Sequence, residues 1–186
     1  MRAKYLHFLL VPFLLLLLQA CHHRMVPVSK SAIIYDQPTD RIRYSEDPFG
    51  TVSIKGKWEA GKYNKASHQQ YFYHKDTVTL IVSIGACSTF PFAKNGLSGY
   101  DFVKKYFDVE AKYQAMLEQK ANLLVEDEAN KYMIWVVRQD GIDQYFLCGA
   151  KDCSCNKPVY NAITLKSRKY DAEKAKAFLK ETFMAL

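Results

Sequence analysis

The chain has 186 residues, with Lys+Arg 26 against Asp+Glu 19 and a formal charge of +7. With 49% hydrophobic and 24% charged residues, it sits among ordinary globular proteins and outside the disordered and low-complexity classes. The length suits one domain with a leader or tail, not two full domains.

Residues 1–20 read as an address. Arg2 and Lys4 precede an apolar run, Phe8 to Leu18, interrupted only by Pro12. A spanning helix needs about 20 apolar residues, so the run is too short to cross a bilayer and fits the h-region of a secretory signal. Pro12 would also bend a spanning helix. The run ends in Leu18-Gln19-Ala20-Cys21, which resembles the bacterial lipobox. That resemblance implies removal of residues 1–20 as a signal peptide and acylation of the Cys21 thiol. Each buried acyl CH₂ contributes about 0.8 kcal/mol, and two or more chains make anchoring durable. His22, where an Asp would resemble an inner-membrane retention signal, points to the outer membrane of a bacterial envelope, facing the periplasm.

Loss of the leader removes Arg2 and Lys4 and no acid, taking the net charge from +7 to +5. The lysines are spread among acids and read as solvated faces. No basic helix or RNA-binding aromatic motif is present, so nucleic acid is not an expected partner. The expected partners are the membrane, through the anchor, and a protein of the envelope.

Residues 21–50 contain Pro27, Pro38 and Pro48 without a sustained period. They read as a tether, spanning roughly 30 Å as a flexible coil, with a short strand at Ala32–Tyr35. Residues 51–186 read as one α/β domain. Thr51–Lys55 alternates as a strand and Gly56-Lys57-Trp58 ends it. Tyr71–Tyr73 is a short aromatic strand. Thr77–Gly85 is the clearest strand, with Val78, Leu80, Val82 and Ile84 on one face and Ile81 on the other.

Ser98-Gly99-Tyr100-Asp101 matches the capping pattern of a helix start. Phe102, Tyr106, Val109, Tyr113 and Met116 then recur at helical steps, widened by Val103, Phe107 and Leu117, predicting a core-facing helix of about 20 residues. Asn122–Asp127 is the next strand. Tyr132–Arg138 follows it and is apolar on both faces, which requires a layer on each side. Asp140-Gly141 signals a tight turn into Asp143–Gly149. Val159–Ser167 is the last strand. Asp171 caps a closing helix whose stripe is Ala175, Phe178, Leu179, Thr182, Phe183 and Leu186. Hairpin connections and two helices predict an α+β fold with a mainly antiparallel sheet, arranged as an α/β/α sandwich.

This arrangement resembles the PsbP-like fold. The resemblance is carried by Gly56-Lys57-Trp58 (without the proline of that family's opening), by Ser98–Val103, by the Tyr160–Leu165 strand, and by Asp171 with Phe178–Phe183. It implies a non-enzymatic protein that binds or assembles others.

Four cysteines follow Cys21: Cys87, Cys148, Cys153 and Cys155. In an exported chain they permit two disulfides. A Cys153–Cys155 bond would be strained, so the favoured pairing joins Cys148 to one loop cysteine and Cys87 to the other. Two alternatives use the same residues. Cys148, Cys153 and Cys155, with Cys87, His68 or His74 as a fourth ligand, would make a metal or thiol-redox centre, although C-x4-C-x-C is not a standard zinc spacing. Cys87 with a histidine would make a small hydrolase dyad. His22 and His23 belong to the tether. Glu126-Asp127-Glu128 reads as a solvated acidic turn. No G-x-S-x-G, P-loop, G-x-G-x-x-G or H-E-x-x-H occurs, so no catalytic residue and no cofactor is assigned.

Overall fold

A computed structural model describes residues 30–152 and 157–185. The described residues form a mainly antiparallel α+β fold. The strands are β1 (Lys30–Asp36), β2 (Arg41–Asp47), β3 (Gly50–Lys55), β4 (Glu59–Asn64), β5 (Gln69–His74) and β6 (Val78–Ala86). After helix α1 (Gly99–Met116) come β7 (Ala121–Asp127), β8 (Tyr132–Gln139), β9 (Ile142–Lys151), β10 (Val159–Ser167) and helix α2 (Ala172–Met184). Strands β1-β2-β3 make a small sheet. The large sheet has the order β4-β5-β6-β10-β9-β8-β7, so the last strand lies between β6 and β9.

The apolar alternation sets which side chains meet. Val78, Leu80, Val82 and Ile84 of β6 join Ile134, Leu147, Ile163 and Leu165 on one face of the large sheet. The small sheet covers that face with Ile42, Tyr44, Val52 and Ile54, and α2 adds Ala175, Leu179 and Phe183. An Arg41–Glu181 ion pair ties the two covering elements together. On the opposite face, Met133, Trp135 and Val137 of β8 meet Phe102 and Val103 of α1. The two-sided burial expected of β8 is what is found. The tight turn also forms as expected, with Asp140 and Gly141 both at positive φ, 52° and 72°, as a two-residue hairpin requires.

The stretch expected to be a tether, 21–50, differs. From Lys30 onward it carries β1 and β2, and β2 alternates buried and exposed because Ile42, Tyr44 and Glu46 point into the core. Three prolines and a charged strand, Arg41-Ile-Arg-Tyr-Ser-Glu-Asp, hide that alternation in the sequence. β4, Glu59–Asn64, has no apolar period of its own and is a strand because β5 pairs with it.

Helix α1 starts after Ser98 as expected, but the Ser98 side chain makes no capping bond. The chain enters through Gly99 at φ +60°. The expected stripe is buried only in its first half. Phe102 and Val103 are fully buried, whereas Val109, Tyr113, Met116 and Leu117 are exposed. Phe178 of α2 is only half-buried, its ring tilted against Trp58 and edge-on to Tyr170 at the rim. Phe183 is the buried aromatic of that helix, 1% exposed.

Candidate functional site

The two faces of the large sheet are covered unequally. Seven strands at about 4.8 Å spacing put the outer strands about 29 Å apart, while one helix is about 10 Å wide. Helix α1 rests on β7, β8 and β9. Over β10, β6 and β5 the same face has no helix among the described residues. Its far end is plugged by two short 3₁₀ turns, Cys87–Thr89 and Pro91–Ala93; Phe90 between them stacks on Phe92, and both rings pack against Phe102.

What remains is a groove with a cavity of 390 Å³, within the range of small-molecule sites. Its floor is sheet: Ile81 and Ser83 of β6, Ala162 and Thr164 of β10, and Phe146 of β9. Register places Ser83 beside Ala162 and Ile81 beside Thr164. The small Ala162 leaves the floor deep. One wall is α1, with Tyr106 and Glu110; the other is the β4–β5 turn, Ala66 to Gln69. Phe90, Tyr106 and Tyr160 form three mutually packed rings along it, with centroids 5.0, 5.3 and 6.4 Å apart. A shallower depression of 570 Å³ continues from Ala66 over Tyr63, Tyr71 and Tyr73 on the β4–β5 hairpin.

Polar groups converge on the groove. Ser83 Oγ and Tyr160 Oη share a hydrogen bond of 3.1 Å on its floor. Burial holds the Tyr106 and Tyr160 hydroxyls above their ordinary value, Tyr106 far above it. Glu110 is half-buried, and burial raises its carboxyl above the usual range. Among the described residues no lysine, arginine or histidine pairs with it.

The residues singled out from sequence lie elsewhere or at the edge. Cys21, Cys153 and Cys155 are outside the described residues, as are His22 and His23. Cys87 and Cys148 are buried free thiols in the aromatic layer under α1. Burial pushes the Cys87 thiol up to about 12 and Cys148 well above its ordinary value, with each other's charge adding to the effect on Cys148. Both are protonated at neutral pH, the opposite of an activated nucleophile or a ready metal ligand. His68 lines the groove, but its Nδ1 contacts Tyr63 Oη at 3.2 Å. His74 sits 3.5 Å from Asp76, against Trp58. Neither histidine is hydrogen-bonded to Cys87. Among the described residues no group of three His, Cys, Asp or Glu side chains could hold a metal ion. Glu126 accepts from Tyr100, and Asp127 closes its turn through Asn130.

Sequence reasoning missed Ser83, Phe90, Glu110 and Tyr160 as a set. One signal was there: Glu110 follows Val103, Tyr106 and Phe107 at helical steps, a carboxylate set in an otherwise apolar line. No protein-family model and no curated protein matches the chain.

Proposed function

We propose that this chain is a lipid-anchored protein of the bacterial envelope, and that its domain binds a small ligand without transforming it. The groove between α1 and the β4–β5 turn is the observation that carries the reading: an aromatic-lined cavity with a few converging polar groups is the usual form of a ligand site. The lipobox pattern at Leu18–Cys21 supports the anchor, and helices on opposite faces of an antiparallel sheet suit a PsbP-like sandwich. The protonated, buried state of Cys87 and Cys148 supports binding over thiol chemistry.

Two measurements test it. Metabolic labelling with a tagged fatty acid should mark the wild-type chain and leave C21S unmarked; an unlabelled wild-type chain defeats the anchor. Ala162→Phe should fill the groove floor and abolish binding of groove ligands while the near-ultraviolet dichroism stays native. Unchanged binding in A162F would move the site elsewhere. A second reading, docking of an envelope protein, is favoured by the exposed set Val109, Tyr113, Met116, Leu117 and Leu123 at the outer end of α1 and β7.

A further inference from the structure

We infer that the groove is selective for a small organic cation, an alkylammonium with a short polar tail, whose charge lies between the Glu110 carboxylate and the faces of Tyr106, Tyr160 and Phe90. The inference rests on reading the groove as a ligand site and adds the chemistry of what fills it.

The argument begins with the cost of the carboxylate. A half-buried Glu110 beside aromatic rings loses hydration, and no cation of the described protein returns it. A protein gains nothing in stability from such a group, whereas a cationic ligand would satisfy it. Tyr106 on the same wall, with Phe90 and Tyr160 beside it, lines the groove, and aromatic faces attract alkylammonium groups more strongly once water is displaced. Carboxylate and aromatic faces together therefore define a site for positive charge with an apolar surround. At the floor, the Ser83 Oγ and Tyr160 Oη pair offers both a donor and an acceptor, which suits one hydroxyl or carbonyl on the tail. An anionic ligand is disfavoured by Glu110, and a neutral one forgoes the charge interaction.

Among the described residues, Tyr106 one turn earlier on α1 and Cys148 on β9 feel the Glu110 charge, and Tyr160 on β10 and His68 on the β4–β5 turn line the same groove. The tyrosines and Cys148 stay protonated in the neutral range. Glu110 must be ionised to hold a cation, so affinity should fall as pH drops through its raised value.

The test uses the full-length protein and two probes that differ only in charge: choline and its carbon isostere 3,3-dimethylbutanol, titrated by NMR or calorimetry. Choline should bind at least tenfold more tightly than the alcohol, and E110Q should bring the ratio close to one. If E110Q does not fold, the wild-type profile decides. Choline affinity should fall with acidification, that of the alcohol should stay level, and H68Q should keep the difference. A ratio near one in the wild type, or one that survives E110Q, overturns the cation inference while the groove stands as a site for neutral ligands. If neither probe binds, the groove reading falls as well.

Discussion

Glu110 shows how one side chain can work against the fold that holds it. Burial raises its carboxyl above the free-glutamate value of 4.5, so the native state binds its proton more tightly than the unfolded chain does. Such a group supports the native state fully only below the unfolded value, and that support is lost as pH rises through the folded one. E110Q should therefore raise the melting temperature of the ligand-free protein at pH 7, with the gain fading as pH falls toward 4.5; calorimetry across pH checks this. Gly149 is a second decisive residue. A Cβ there would overlap the ring of Phe183, which is itself buried in the core. G149A should cost about 1–3 kcal/mol in urea unfolding through overpacking, with no change in the α2 cap.

Among the elements, α2 is the better specified helix. Asp171 accepts from the backbone N–H of Lys174 at 2.9 Å, and Ala175, Leu179 and Phe183 share the buried stripe. Asp171→Ala should cost about 1 kcal/mol in chemical denaturation, and Asp171→Asn much less, because asparagine caps nearly as well. Helix α1 has a broader apolar surface than the sheet can cover. Its partners are β7, β8 and β9, and β7 is the edge. Val109, Tyr113 and Met116 therefore stay in solvent although their spacing matches that of core residues. The same displacement of α1 toward β7 leaves β10, β6 and β5 open and so makes the groove.

At the scale of the molecule, tyrosine burial sets the alkaline limit. Among the 13 tyrosines of the chain, Tyr44, Tyr106, Tyr145 and Tyr160 are raised by burial, and Tyr132 is pushed up to about 12. Their contribution to stability is whole below 10, the unfolded value, and is lost as pH rises above it. Lys151, held down to about 8 by burial, acts in the opposite sense between 8 and 10.5, but it is one group against several. Phenolate absorbance at 295 nm should rise in two stages. The second stage, from the buried tyrosines, should come only together with loss of near-ultraviolet dichroism. A single smooth titration with native dichroism throughout would contradict this burial.

Much of this fold was legible from periodicity. β6, β8, β10 and α2 carry apolar patterns that only one burial satisfies, and the Asp140-Gly141 turn carries its own backbone requirement. β2 and β4 were not, because charged and small residues occupy the positions that would show a period, and cross-strand pairing rather than local preference makes them strands. The groove was illegible for a related reason. Ser83, Phe90, Glu110 and Tyr160 come from four separate stretches, and nothing local says that α1 settles over β7–β9 instead of the sheet centre. Local pattern determined which residues face inward and where most elements begin. The placement of one narrow helix on a sheet several times its width, a matter of side-chain volumes across elements, decided that the groove exists.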